Sequence, residues 1–270
     1  MTLAPEYNVV GKRLRPANAV AKGTGAVKYT ADINLPGMLW VKAVRSPHPR
    51  ARIVKIDASE ALAMPGVVAV LTYENIPDRS WGYNPKMEME GMRVFSDHVD
   101  FVGDPVAAVA ADDPDVLEDA VRTIRVEYEV LPPILSVEES ARPDAVQIHE
   151  WGNVILGDAE TPTAVNARGD VERGFAEADV IIEHTYRSLQ SSGIPHEPRG
   201  AVASWDGDRL TVWDSTQQPF THQKGLAQVL DLPEDKIRVI STNVVGGFGT
   251  WLLVILGFLF VGESLLASRG

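Results

Sequence analysis

The stretch VGDPVAAVAADDPDVLEDAVRTIRVEYEVLPP, residues 102–133, decides the fold of the first part of the chain. Residues 105–111 form a continuous apolar run, which is typical of a strand that is covered on both faces. Residues 115–124 place apolar side chains at helical spacing behind an acidic start, which complements the helix dipole. Residues 125–130 return to a strand pattern. The stretch therefore predicts a strand, a helix and a strand in succession.

The residues before this stretch continue the mixture of strand and helix patterns. Strands are predicted at residues 38–44, 51–56 and 67–71. A short helix is predicted at residues 58–64, with Asp57 or Ser59 as its N-cap and an end before Pro65-Gly66. Strands that alternate with short helices indicate an α+β fold rather than a helical bundle or a β-sandwich.

A second domain is expected after a long surface connection. Prolines and polar side chains at residues 134–168 indicate that connection, and the new domain begins near Gly169. Asp206-Gly207-Asp208 lies between two strand patterns and predicts a hairpin. The strands of the hairpin are predicted at 201–205 and 210–213, the other strands at 180–187 and 236–240, and helices at 170–178 and 221–230.

The composition is that of a globular protein, with 45% hydrophobic and 23% charged side chains in 270 residues. A net charge of −12 argues against a nucleic-acid partner, because phosphate binding depends on clustered Lys and Arg. Cysteine is absent, so the chain offers no disulfide, no thiolate nucleophile and none of the usual ligands of an iron–sulfur cluster. Residues 1–12 lack the pattern of a secretory signal, and a cytoplasmic location is expected.

The end of the chain differs from the rest. Residues 251–261, WLLVILGFLFV, are about eleven apolar residues in a row, fewer than the roughly 20 that a membrane-spanning helix needs. Three interpretations stay open: a buried helix, a marginal membrane anchor, and a sequence foreign to the parent fold. The third is favoured.

Residues 214–218, DSTQQ, close a predicted strand and precede the predicted helix at 221–230. Polar side chains and free backbone N–H groups therefore converge at a helix N-terminus, which suits an anion or a polar cofactor. The alternative is that Ser215 or Thr216 only caps the helix.

Residues 245–249, VGGFG, place three glycines around one aromatic residue after a predicted strand. Glycine allows a positive φ and a close approach of the backbone to a ligand, although a tight turn or a bulge explains the pattern equally well. The third glycine of the dinucleotide-binding fingerprint is missing. A nucleotide site of that kind is therefore not predicted.

Residues 195–199, PHEPR, lead into a predicted strand, where Glu197 and His196 could line a pocket. An exposed turn is the favoured interpretation. The six histidines show no metal-ligand spacing, so no metal ion bound by protein side chains is expected.

Short motifs recur in a fixed order over residues 8–250. They are VGK (10–12), KGTG (22–25), LPGM (35–38), RSPH (45–48), ARI (51–53), PGV (65–67), VGDPVAAV (102–109) and VEYEVLP (126–132). Their order and spacing resemble the α/β hammerhead domain of the large subunits of molybdenum hydroxylases, the xanthine dehydrogenase and aldehyde oxidase family. The residues that follow resemble the first part of the molybdopterin-binding region of that family.

The resemblance implies a cofactor site and partners. Gln217 would approach the molybdenum centre of a molybdenum–molybdopterin cofactor, and Gly247, Phe248 and Gly249 would supply backbone and packing contacts. The family carries the metal on the pterin dithiolene, with iron–sulfur and FAD groups on a small and a medium partner subunit. Residues 195–205 and 214–220 resemble the branch of 4-hydroxybenzoyl-CoA reductase and related bacterial dehydrogenases more closely than xanthine oxidase.

The resemblance also divides the chain. The expected parts are an N-terminal extension (1–19), the hammerhead domain (20–133), a linker (134–168), a partial molybdopterin-binding domain (169–250) and a non-family apolar tail (251–270). Family members usually carry glycine where Val245 stands. They continue after Gly249 with a small residue, a lysine and several hundred further residues, whereas here the apolar tail follows. This break is why the tail is interpreted as foreign to the parent fold.

The expected function follows from this division. The parent activity is the oxidation of aldehydes, aromatic heterocycles or aryl-CoA thioesters at a molybdenum centre. No catalytic residue is assigned, because the catalytic glutamate and most of the site are expected in a missing C-terminal part, which would leave this chain inactive alone. The alternative is a non-enzymatic assembly module whose tail associates with a membrane.

Overall fold

The structure is a computed structural model that describes residues 7–81, 92–148, 152–153, 168–188, 193–198, 200–244 and 246. Its strands are β1 (Trp40–Arg45), β2 (Ala51–Asp57), β3 (Val67–Thr72), β4 (Ser80–Trp81), β5 (Met92–Arg93), β6 (His98–Val99), β7 (Pro105–Ala111), β8 (Arg125–Val130), β9 (Ala201–Asp206), β10 (Arg209–Asp214) and β11 (Ile237–Ser241). Its α-helices are α1 (Ala19–Gly23), α2 (Ser59–Leu62), α3 (Pro114–Thr123), α4 (Val137–Ser140), α5 (Val171–Ala176) and α6 (Pro219–Leu230). This mixture confirms the α+β fold class.

The first part of the chain builds two antiparallel three-stranded sheets, in the orders β1-β7-β3 and β6-β2-β8. Strand β7 is central in its sheet, and its residues from Val106 to Ala111 are all buried. The prediction of a strand covered on both faces is therefore confirmed. The predicted strand, helix and strand are all present, but β7 and β8 lie in different sheets and the helix α3 connects the two sheets.

Helix α3 is held by its cap and by its apolar face. The side chain of Asp113 accepts hydrogen bonds from the backbone N–H groups of Asp115 at 2.8 Å and Val116 at 3.1 Å. Leu117 and Ala120 are buried in a cluster that includes residues of β3 and β7. Propensity, capping and burial all favour this helix, which explains why its position was predictable.

The second part of the chain forms a three-stranded sheet in the order β11-β10-β9. Strands β9 and β10 are the predicted hairpin, and Gly207 in its turn has a φ of 60°. Strand β11 lies parallel to β10, with Asp214 paired to Ser241, and α6 connects the two strands. Parallel neighbours require such a crossover, because a tight turn cannot join them.

The first part of the chain, with strands β1–β8, and the second part, with strands β9–β11 and helix α6, share one core. Helix α6 and the third sheet bury apolar side chains together with residues of β3 and β7 in a single cluster: Leu71, Ala108, Ala110, Leu210, Val212, Leu226, Val229, Leu230 and Ile237. The C-terminal end of α6 is also tied to the first part, since the guanidinium of Arg79 donates a 3.0 Å hydrogen bond to the carbonyl oxygen of Val229. These contacts fix the position of α6 relative to the sheets.

The predicted strand at 180–187 is not formed. The described residues 168–188 are exposed throughout, and residues 181–188 have no regular secondary structure. Val180, Ile181, Ile182 and Tyr186 expose 74%, 61%, 76% and 87% of their surface. Strand formation requires a neighbouring strand that accepts and donates backbone hydrogen bonds, and none of the described strands lies beside this segment. None of the described helices is both long enough and apolar enough to span a membrane.

We expect Asp113→Ala to lower the free energy of unfolding by about 1 kcal/mol, because two N–H groups at the start of α3 lose their acceptor. Urea denaturation followed by circular dichroism measures this effect. Asp113→Asn is the matched control, since its amide oxygen still accepts from the same N–H groups and most of the stability should be retained. An equal loss in both variants would contradict a capping role for Asp113.

Candidate functional site

The candidate site lies at the edge of the third sheet where two parallel strands end. Because β10 and β11 are parallel, their carboxyl ends are adjacent, and residues 215–218 and the residues after Ser241 leave from the same edge. The backbone N–H of Thr242 donates a 3.0 Å hydrogen bond to the carbonyl oxygen of Asp214, which joins the two segments. In open α/β sheets, ligands bind outside the carboxyl ends of the strands.

The loop between β10 and α6 is buried at its start and exposed at its end. Asp214, Ser215 and Thr216 are buried, whereas Gln217 and Gln218 are exposed. The hydroxyl of Ser241 donates a 2.5 Å hydrogen bond to the carbonyl oxygen of Thr216, which ties the loop to the end of β11. The loop therefore presents two glutamine amides to the surface from a fixed base.

A buried histidine supports this loop from the helix side. His222 lies in the first turns of α6 and is 4% exposed. Its Nδ1 is 2.6 Å from Oδ2 of Asp214, and its Nε2 is 3.3 Å from Oγ1 of Thr216. The Oγ1 atom of Thr216 also accepts a 3.0 Å hydrogen bond from the backbone N–H of Gln218.

Sequence analysis did not identify His222 as a site residue. Metal-ligand spacing among the six histidines gave no reason to pair His222 with Asp214, eight positions earlier. The contact depends on how the end of β10 packs against the first turn of α6, which no spacing along the chain indicates. The alternative that Ser215 or Thr216 caps the helix is wrong, because the N-cap of α6 is Gln218 and its side chain accepts no cap hydrogen bond. Thr216 instead accepts a hydrogen bond from the backbone N–H of Gln218.

The second segment of the edge begins with Thr242 and includes Gly246. Gly246 has a φ of 85°, which agrees with the expectation of positive φ in the glycine motif. The N-terminal part of the chain contacts this segment, since Oγ1 of Thr30 and Oγ1 of Thr242 are 2.8 Å apart. Three of the four predicted cofactor-binding residues, Gly247, Phe248 and Gly249, lie outside the described residues, and so does the tail.

Two further expectations concern charged or metal-binding side chains. His196 is exposed as predicted for a turn, but Glu197 is buried, so the exposed-turn interpretation is wrong for the carboxylate. Within the described ranges, no group of three or more histidine, aspartate or glutamate side chains could hold a metal ion.

Comparison with known proteins identifies both parts of the chain. Residues 24–132 match the family model of the aldehyde oxidase and xanthine dehydrogenase a/b hammerhead domain, and residues 156–257 match that of the molybdopterin cofactor-binding domain. The second match includes β10, α6 and β11, and continues to residue 257. The hammerhead fold expected from the motifs is therefore confirmed, while the finer domain boundaries remain predictions.

Individual relatives agree with the domain matches. The chain is 34% identical to a xanthine dehydrogenase molybdenum-binding subunit of Escherichia coli and covers 31% of it, with 86% of this chain aligned. It is 35% identical to the nicotinate dehydrogenase large molybdopterin subunit of Eubacterium barkeri and covers 56% of it, with 92% of this chain aligned. The reconstituted CO dehydrogenase of Oligotropha carboxidovorans superposes with a TM-score of 0.78 at 28% identity, over 96% of this chain and 34% of that one.

The two family matches thus define the class of protein, an a/b hammerhead domain followed by a molybdopterin cofactor-binding domain that contains the strand–helix edge. The chain belongs to the xanthine dehydrogenase and aldehyde oxidase family, and it aligns with the molybdenum-binding large subunits of that family. It spans about a third of the Escherichia coli relative and just over half of the Eubacterium barkeri relative.

We expect Gln217→Ala to change the free energy of unfolding by less than about 0.5 kcal/mol, because the side chain is exposed. Ser241→Ala should cost about 1 kcal/mol, because it removes the hydroxyl that binds the carbonyl oxygen of Thr216. Thermal unfolding compares both variants with Gln228→Ala, which alters an exposed glutamine at the other end of α6. If Gln217→Ala is as destabilising as Ser241→Ala, Gln217 belongs to the packed base of the loop and is not presented for binding.

Proposed function

We propose that this chain supplies one wall of a molybdenum–molybdopterin site, in an oxidoreductase that acts on aldehydes, aromatic heterocycles or aryl-CoA thioesters, and that it does not turn over substrate alone. One observation carries the proposal: the segment that matches the molybdopterin-binding domain folds so that Gln217 is exposed at the carboxyl edge of two parallel strands. The 4-hydroxybenzoyl-CoA reductase branch stays our proposal for the subfamily.

The residues of this edge fit such a cofactor in their chemistry. An exposed carboxamide both donates and accepts hydrogen bonds, which suits the polar groups of a pterin or an oxygen on molybdenum. The positive φ of Gly246 allows a close approach of the backbone, and we propose that Gly247, Phe248 and Gly249 continue that surface. The absence of cysteine is compatible with a metal that its organic cofactor carries.

The bound cofactor would supply the redox centre at which substrate is oxidised, with oxygen taken from water. The chain's own contribution is to bind and orient that group. Gln217 would hold one polar group of the cofactor. The buried residues at the start of the loop, 214–216, would keep the Gln217 amide in place. We propose that the general base of the reaction is a glutamate outside this chain, as the resemblance to the family implies.

Two observations support the proposal that the site is incomplete. The relatives named above are longer than the aligned region, which covers 31% of one and 56% of the other. Residues 180–186 also expose three aliphatic side chains and a tyrosine, and an exposed apolar patch of this kind marks an interaction surface. We propose that the rest of the molybdopterin-binding region covers this segment and supplies the substrate pocket.

Partner chains are part of the proposal. The two relatives are named as subunits, so assembly with other chains is expected for this chain as well. We propose that an iron–sulfur subunit and an FAD subunit carry electrons away from the site, because the usual cluster ligand, cysteine, is absent here. We propose a cytoplasmic location for the assembly.

The test is to express the chain in a host that makes molybdenum cofactor, alone and together with the remaining region of a family large subunit. Molybdenum is measured by mass spectrometry, pterin by fluorescence after oxidative release, and turnover with an aldehyde, an N-heterocycle and an aryl-CoA thioester with a dye as electron acceptor. We expect no turnover from the chain alone. With the second region present, we expect co-purification and both molybdenum and pterin.

The outcome is interpreted with a matched pair of variants. Gln217→Ala should lower cofactor content or turnover at least about tenfold in the reconstituted complex, while Gln228→Ala should leave both unchanged. Stoichiometric cofactor and turnover from the chain alone would overturn the claim of incompleteness. Partition of the chain into membranes that depends on residues 251–261 would instead favour the membrane-associated assembly module.

A further inference from the structure

The buried pair of Asp214 and His222 lies beneath the loop and is not among the residues proposed to contact the cofactor. Both side chains lie in the interior, where a polar group is costly unless it is hydrogen-bonded. Nδ1 of His222 and Oδ2 of Asp214 are 2.6 Å apart, and the remaining ring nitrogen faces the hydroxyl of Thr216 at 3.3 Å. The interior therefore holds a hydrogen-bonded network of Asp214, His222 and Thr216, which ends in the loop before α6.

The hydrogen bonds of this network have a consistent direction. The hydroxyl oxygen of Thr216 accepts from the backbone N–H of Gln218, so its own proton is available for Nε2 of His222. With the ring proton on Nδ1, His222 donates to the carboxylate of Asp214, and each donor has one acceptor. The hydrogen bonds therefore connect the backbone N–H of Gln218, through Thr216 and His222, to the carboxylate of Asp214 at the end of β10.

The same carboxylate-bearing residue connects both segments of the site edge. The carbonyl oxygen of Asp214 accepts from the N–H of Thr242, which begins the segment leading to Gly246. The side chain of Asp214 holds His222, and through it the loop before α6. Asp214 therefore fixes the spacing between the two segments that face the proposed ligand.

We propose that His222 is a positioning residue, which locks residues 215–218 through Thr216 and so sets the direction in which Gln217 is presented. A role in stability alone would require only an apolar side chain that fills this buried position of α6. The structure has more than that, because the loop is held by contacts of the Thr216 hydroxyl with Nε2 of His222 and with the backbone N–H of Gln218. The relevance of this lock to a cofactor rests on the proposed function, whereas the lock itself does not.

Hydrogen exchange of the whole chain, measured without cofactor by mass spectrometry or NMR, tests the proposal. Thr216→Val keeps the volume of the side chain and removes the hydroxyl, so the backbone amide of Gln218 should exchange at least about tenfold faster than in the unmodified chain. Thr216→Ser restores the hydroxyl and should restore protection. His222→Asn should lose protection at the same amide, because its shorter amide can replace Nδ1 beside Asp214 but cannot reach Thr216.

A matched control separates positioning from stability. Val229→Ala opens a cavity on the same buried face of α6 and lowers global stability, but it leaves the hydrogen-bonded network intact. It should not change the exchange of the Gln218 amide relative to other amides of α6. Nitrogen NMR of His222 gives an independent signature, with the proton on Nδ1 and a change confined to Nε2 in Thr216→Val.

Equal protection of the Gln218 amide in Thr216→Val and in the unmodified chain would overturn the proposal, as would an equal loss in Val229→Ala. A chain that shows the expected exchange pattern but never takes up pterin in the reconstitution test would refute the proposed function and leave the positioning role standing. Uptake of pterin, with no effect of Thr216→Val on the exchange of the Gln218 amide, would refute the positioning role and leave the proposed function standing.

Discussion

Helix α6 buries Leu226, Val229 and Leu230 in one apolar cluster with residues of its own sheet and of strands β3 and β7. Burial of each such side chain stabilises the fold by roughly 1.5–3 kcal/mol, so this shared cluster joins the two parts of the chain. Because the helix cannot shift along this contact without opening cavities, its N-terminal end is fixed. The loop before it, with Gln217, is fixed as a consequence.

The parallel pairing of β10 and β11 gives this contact its functional meaning. Parallel strands end at the same edge, so the crossover through α6 brings residues 215–218 beside the segment that begins at Thr242. Hydrogen bonds that involve Asp214, Ser241 and His222 then hold the edge on its buried side. The edge has a hydrogen-bonded buried side and polar side chains on its exposed side. Such a surface is suited to orienting a cofactor rather than to catalysing the reaction.

The sequence predicted most elements correctly where local signals agreed. Helix α3 combines an Asp113 cap with an apolar stripe, and the β9–β10 hairpin has a turn that demands glycine, so neither needs distant contacts to be recognised. Residues 180–187 also carry a strand pattern, yet a strand depends on a neighbour that periodicity cannot supply. The Asp214–His222 contact was missed for a related reason, because it depends on how a strand and a helix pack and not on a spacing along the chain.

The carboxyl edge of β10 and β11 should therefore form one wall of a molybdopterin site that the rest of the domain completes. A crystal or cryo-EM structure of the chain, reconstituted with the remaining region and loaded with cofactor, would locate that site. We expect cofactor density at this edge, with the Gln217 carboxamide within hydrogen-bonding distance of the cofactor. Cofactor density elsewhere, with Gln217 facing solvent, would contradict this assignment.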